Sequence, residues 1–188
     1  PTYKDWNSGI SRIYNAWKLL QKPLVLADEA LIESIDQLKN LWETDELRYV
    51  ALEPLLQNEP DQQYYEASPD SLVLHLLTSG STGIPKCVPN CNESVLARAR
   101  GTVACHNFTS DEIILNWMPL DHVGGIVMFH VLGVYLASEQ ILPKIDSFIA
   151  NPLNWFYWIN HYRATMTWAP NFAFALVNDQ AEKIKQNN

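Results

Sequence analysis

From its first residues the chain alternates helix-like and strand-like spacing of apolar positions. Ile10, Ile13, Tyr14, Trp17 and Leu20 recur at three- and four-residue intervals, which gathers them on one helix face, with Ser8 placed as the cap. After Pro23, Leu24 to Ala27 predict a short strand, and Asp28 caps a second helix with Leu31, Ile32, Ile35 and Leu38 inward. Residues 48–52 predict another strand. Residues 58–70 are polar, include Pro60 and Pro69, and form the best candidate linker. Leu72 to Leu77 is an almost unbroken apolar run, the signature of a strand buried on both faces of a mainly parallel sheet.

The second half repeats the alternation. Cys87-Val88-Pro89 predicts a short return strand with Pro89 at its end or edge. Asn92 caps a helix carrying Val95, Leu96, Ala99 and Val103. Gly101 weakens that helix by about 1 kcal/mol relative to alanine, which predicts a close neighbour there. Residues 113–118 form a second buried strand, 126–137 a buried helix and 140–142 a strand. Asn151 caps a helix with Pro152 at its first position, bearing Trp155, Ile159 and Tyr162. Residues 164–168 alternate as a strand, 169–171 turn, and a last helix starts near Phe172. The expected class is α/β, with one or more mainly parallel sheets covered by helices.

Composition narrows the partners. The 188 residues are 47% hydrophobic with 7 Trp and 8 Tyr, enough for a sizeable core. Formal net charge is −8 and no basic run occurs, so neither nucleic acid nor an anionic membrane is an expected partner. No apolar run approaches the roughly 20 residues of a membrane span, and no signal peptide opens the chain. Cys87, Cys91 and Cys105, an odd number in a chain too large to depend on disulfides, are expected as reduced thiols in a cytoplasmic protein, and no paired Cys-x2-Cys spacing supports a zinc site.

The chemistry concentrates in two stretches. Thr78-Ser79-Gly80-Ser81-Thr82-Gly83 follows the buried strand with no bulk and no charge. Two glycines permit positive φ, so successive N–H groups can turn towards one point. Four hydroxyls sit among them, and Lys86 follows Pro85, which stiffens the exit. Oriented dipoles, hydroxyls and one ammonium make a pocket for phosphate oxygens, although such loops are also simply loops. A P-loop is excluded by spacing, since Ile84-Pro85 precede the lysine and Cys87 follows it. In the second stretch, Pro119-Leu120-Asp121-His122-Val123-Gly124-Gly125 lies just past a predicted strand end, where open α/β sheets place ligands. His122 there either orients a carboxylate or caps the following helix.

Thr78 to Lys86 resembles, without a gap, the phosphate-loop motif of the adenylate-forming (AMP-binding) enzymes. These include acyl-CoA synthetases, fatty acyl-AMP ligases and the adenylation domains of peptide and polyketide synthases. The likeness departs at Cys87, where the family usually carries glycine. Pro119-Leu120-Asp121-His122 with Gly125 is similar to the family's next motif, with Asp121 in place of an aromatic residue. Asn116 to Gly125 and Thr167-Trp168-Ala169-Pro170-Asn171-Phe172-Ala173 resemble adenylation domains of bacterial, including cyanobacterial, synthase assembly lines.

The resemblance implies ATP-dependent activation of a carboxylic acid to an acyl-adenylate. The acyl group then passes to a phosphopantetheine thiol on a carrier protein or CoA. It implies that Thr78, Ser79, Gly80, Ser81, Thr82 and Gly83 cradle the phosphates, that Lys86 offsets their charge, and that Mg²⁺ bridges oxygens beside Thr82. Asp121, His122, Gly125, Pro170, Asn171 and Phe172 would line the acid. Amino-acid-activating relatives carry an aspartate where His122 stands, so a substrate without an α-amino group is expected. It further implies that residues 1–188 are a piece of the large domain, lacking parts at both ends and inactive alone. The alternative is a non-catalytic α/β docking module or a degenerate copy.

Overall fold

The computed structural model describes residues 6–78 and 86–180. The chain divides into two compact units, Pro1–Ala67 with Leu77–Pro89, and Ser68–Leu76 with Asn90–Asn188.

In the first unit, helix α1 (Ser8–Leu19) is capped by Asn7 rather than Ser8. The Asn7 side chain accepts from Gly9 N–H at 2.9 Å and Ile10 N–H at 3.0 Å. Gln21 and Lys22, at φ 61° and 59°, then turn the chain before Pro23. Strand β1 (Val25–Ala27) leads through a 3₁₀ turn at Glu29–Leu31 into α2 (Ile32–Leu41), so Asp28 precedes the 3₁₀ turn and makes no side-chain cap. Strand β2 (Tyr49–Ala51) pairs parallel with β1, Val25 opposite Tyr49, and runs into the short helix α3 (Leu52–Leu55). The apolar faces read from the sequence meet in one core of Ile10, Trp17, Ala27, Ile35, Leu38, Trp42 and Leu47. Trp17 and Trp42 pack with ring centroids 5.4 Å apart, and such a pair adds about 0.5–1.5 kcal/mol beyond its burial.

Strands β3 (Leu72–Thr78) and β4 (Lys86–Cys91) form a separate two-stranded sheet. Burial of β3 on both faces is not observed: Leu72 is 60% and Val73 49% exposed. Among the described residues its one sheet neighbour is β4. An apolar run records a strand that needs cover and is silent about where cover comes from.

In the second unit, α4 (Asn92–His106) has Cys91, not Asn92, at its cap. Its first N–H groups are already taken: Asn92 donates to the Ser71 carbonyl and Glu93 to the Pro69 carbonyl, each at 2.9 Å. Among the described residues the close neighbour expected at Gly101 is not found, since a Cβ there would meet nothing within 4 Å. Strand β5 (Ile113–Leu115) is followed by a π-helix (Gly124–Val131), which continues as α5 (Leu132–Leu136), and then by β6 (Glu139–Ile141). Helices α6 (Ile145–Ala150) and α7 (Asn154–Tyr162) precede β7 (Met166–Thr167) and α8 (Asn171–Asn178). Asn151 does not cap α7; it accepts from Leu153 N–H at 3.3 Å in a local turn.

The sheet order is β6-β5-β7 and both pairings are parallel. The expected α/β class with mainly parallel sheets is therefore found. Central β5 carries Ile114 and Leu115 at zero exposure, which is why its run has no polar alternation. The core of this unit joins them to Trp117, Met118, Phe129, Phe148, Trp155 and Ala173. No helix among the described residues is long and apolar enough to cross a membrane.

Candidate functional site

Parallel strands put all their carboxyl ends on one edge, and the strand order here reverses around β5. The segment 116–125 leaves the carboxyl end of β5, and 168–172 leaves that of β7. They meet: a Cβ built on Gly124 would lie 2.4 Å from Met118 Cε, 3.1 Å from Trp168 Cζ3 and 3.2 Å from His122 Nδ1. A crevice between connections diverging from neighbouring strands is where such sheets hold ligands.

Gly125 makes the turn possible. A Cβ there would stand 2.1 Å from the Pro119 carbonyl oxygen and 3.0 Å from that of Met118, both backbone atoms that cannot swing aside. Beneath the segment Trp117 is buried, stacked on Phe148 at 3.9 Å and 11°, with Trp155 edge-on at 5.9 Å. Above that floor Leu120, Asp121, His122 and Val123 are exposed.

His122 is held at three points. Its N–H donates to the Pro119 carbonyl at 3.2 Å, its carbonyl accepts from Ile126 N–H at 3.0 Å, and its ring Nδ1 accepts from Gly124 N–H at 3.1 Å. An Nδ1 that accepts carries no proton in the neutral ring, so Nε2 holds the hydrogen and is a donor. An exposed Nε2–H at a strand's carboxyl end can bind one oxygen of a carboxylate. Asp121 beside it is the one carboxylate of the segment, and the two side chains make opposite demands on a ligand.

Pro170 precedes α8 as its N-cap, and Asn171 and Phe172 are its first two residues, both exposed. Phe172 meets Trp117 edge-on at 6.4 Å. The unit thus gathers Asp121, His122, Gly125, Pro170, Asn171 and Phe172 on the connections that leave β5 and β7. It adds two residues of the same stretches that were not among those expected to line the acid: Trp168, 45% exposed beside Gly124, and Asn116, 2% exposed.

Of the phosphate-loop residues, Thr78 ends β3 and Lys86 begins β4, and Thr78 Oγ1 donates to the Lys86 carbonyl at 3.5 Å. The pairing of these strands brings the loop's two ends together. Ser79, Gly80, Ser81, Thr82 and Gly83 lie outside the described residues, and with Thr82 the expected metal contact. Among the described residues no group of three His, Cys, Asp or Glu side chains could hold a metal ion. Mg²⁺ on a nucleotide needs no such cage, since phosphate oxygens and water supply most of its ligands, and the hydroxyls of this loop suit that role. The three cysteines are free thiols.

The family model described as AMP-binding enzyme matches residues 15–188. The chain belongs to the AMP-binding enzyme family, whose members include the adenylation domains of nonribosomal peptide synthetases. Atromentin synthetase greA of Suillus grevillei is 32% identical over 119 residues, 63% of this chain and 12% of that protein. The solved adenylation domain of a keto acid-selecting NRPS module, bound to keto acyl adenylate, is 50% identical with a TM-score of 0.92. It covers 99% of this chain, which spans 33% of that one. McyG A-PCP complexed with phenylalanyl-adenylate is 37% identical, also with a TM-score of 0.92, over 99% of this chain and 29% of its own. The chain therefore spans about an eighth of the curated relative's length and about a third of the solved structures'.

Proposed function

We propose that this chain carries the phosphate loop and one wall of the acid pocket of an adenylation site that activates an α-keto acid. A carboxylate oxygen attacks the α-phosphorus of ATP and displaces pyrophosphate, leaving an acyl-adenylate. The sulfur of a phosphopantetheine thiol on a carrier protein then attacks the acyl carbon and AMP leaves. Phosphoryl chemistry of this kind needs positioning and charge neutralisation more than covalent help. Thr78, Ser79, Gly80, Ser81, Thr82 and Gly83 cradle the β- and γ-phosphates and Lys86 offsets their charge. Mg²⁺, when bound beside Thr82, supplies further neutralisation of the phosphate oxygens.

The observation that carries the reading is the geometry of His122. Its Nδ1 is occupied by Gly124 N–H, which leaves Nε2–H to orient the acid's carboxylate. Asp121, Gly125, Pro170, Asn171 and Phe172 complete that wall. Support for a keto acid comes from the 50% identity to the keto acid-selecting domain, against 37% to the protein holding phenylalanyl-adenylate. The physical reason agrees. An α-ammonium group leaving water needs a carboxylate partner, whereas an α-carbonyl needs none.

The test is acid-dependent ATP–pyrophosphate exchange by the intact enzyme on paired acids, such as phenylpyruvate with phenylalanine. Keto acids should be preferred across the pairs; preference for the amino acids would show that Asp121, not His122, faces the substrate. Lys86→Ala removes a charge-assisted phosphate contact and should raise the KM for ATP about 10–100-fold. An unchanged ATP dependence removes the phosphate role from Lys86.

A further inference from the structure

Asn116 is the one buried polar residue in the described core, 2% exposed between Leu115 and Trp117. Its backbone N–H donates to the Ile141 carbonyl at 2.9 Å, which holds the end of β5 to the end of β6. Its side chain bridges the two ends of the connection that follows. Oδ1 accepts from Met118 N–H at 3.0 Å, and Nδ2 donates to the Gly125 carbonyl at 3.1 Å. A shorter or apolar side chain would take the Oδ1 acceptor from the buried Met118 N–H and remove the side-chain bond to the Gly125 carbonyl. Between those ends sit Asp121 and His122, and the Gly124 N–H that fixes the His122 ring lies next to the residue Asn116 grips.

We infer that Asn116 is a positioning residue: it clasps the 118–125 connection shut and, through Gly125 and Gly124, aims the Nε2–H of His122. The inference rests on the reading of His122 as the carboxylate donor. Asn116 reaches no ligand itself and acts on the acid, not on the nucleotide, because its contacts all lie on that connection and on β6. A residue that merely stabilised the fold would lower the active fraction and leave both substrate KM values where they were.

The experiment compares Asn116→Ala with wild type in the intact enzyme, with Gln140→Met as control. Gln140 hydrogen-bonds His130 at 3.0 Å from β6 and has no bond to the connection. Two readouts are taken: KM for the acid and for ATP in pyrophosphate exchange, and the ring ¹⁵N shifts of His122, which report its tautomer. In N116A the acid KM should rise about 10–100-fold with the ATP KM unchanged. The His122 ring should also lose its single Nε2–H tautomer, and Q140M should do neither. Equal changes in both KM values, or an unaltered His122 ring, overturn the inference. A ring that loses its tautomer with both KM values intact upholds the clasp and instead sinks the carboxylate role of His122. Where N116A does not fold, Asn116→Asp serves: it keeps Oδ1 for Met118 but sets a carboxylate oxygen against the Gly125 carbonyl, and the same outcomes apply.

Discussion

Gly125→Ala tests the geometry of the site most directly. Ordinary contact begins near 3.4 Å, so a Cβ 2.1 Å from the Pro119 oxygen forces backbone apart by more than 1 Å. Both obstructing groups are main-chain, so no rotamer change relieves them. Separation also stretches the Asn116 Nδ2 to Gly125 O bond beyond its 3.1 Å, and about 0.5–1.5 kcal/mol goes with it. Forced overpacking costs a further 1–3 kcal/mol or so, giving roughly 2–4 kcal/mol in all. For a chain of this size that lowers Tm by about 4–15 °C. Gly101→Ala is the internal standard. It adds the same methyl group where nothing lies within 4 Å, inside α4, and should raise stability by about 0.5–1 kcal/mol. The two variants are melted side by side by circular dichroism, then compared in acid-dependent pyrophosphate exchange. G125A should also raise the acid KM while leaving that of ATP alone. A G125A protein melting within 1 °C or so of wild type would refute the close approach of residues 118–119 and 125.

Three further substitutions probe the surroundings. Thr167→Val keeps the shape but removes the acceptor of the buried Trp155 Nε1–H, now bonded at 3.0 Å; it should cost about 1–3 kcal/mol, and an unchanged urea midpoint would contradict that bond. Ala137 ends α5 at φ 52°, a conformation that costs an L-residue about 1–2 kcal/mol, so Ala137→Gly should stabilise the protein by about 1 kcal/mol; a lower Tm would count against it. Ser94, through its backbone N–H first and its side chain second, holds the Cys91 thiol below the usual thiol range. Thiolate is therefore present at lower pH than in an ordinary cysteine. Ser94→Ala should move the midpoint of Cys91 alkylation by iodoacetamide to higher pH, and an identical profile would remove the side chain from the account.

What could be read in the chain follows the range of the forces involved. Helix faces such as Ile10-Tyr14-Trp17 and buried runs such as Ile114-Leu115 were legible because neighbours in sequence share a face. Caps were less so. Asn7 and Ser8 carry equivalent capping chemistry, and the N–H groups of Asn92 and Glu93 are satisfied by carbonyls more than 20 residues back, which no local pattern records. Exposure of β3 and the open space at Gly101 leave no local mark for the same reason: cover is a property of distant segments. The π-helix at Gly124–Val131 shows in the sequence only as an apolar helical stretch. An all-round apolar stretch has no polar face whose period could separate one helical ladder from another.

At the site the sequence offered two uses for His122, a cap for the following helix and an orienter of a carboxylate, as if one had to exclude the other. The geometry joins them. By accepting from Gly124 N–H, Nδ1 does the structural task at the mouth of the π-helix, and that same bond places the ring hydrogen on Nε2, where a carboxylate can use it. Capping is thus the means by which the donor is prepared. The residues that enforce it were visible as anomalies without a chemical motif. Asn116 is a lone amide in the run Ile113-Ile114-Leu115-Asn116-Trp117-Met118, where burial makes any unpaired polar group costly. Gly124-Gly125 interrupts an otherwise bulky apolar stretch, which only a close approach of other atoms rewards. A polar residue just past a buried strand and a glycine pair eight and nine positions on describe one clasp, and His122 stands between its two ends.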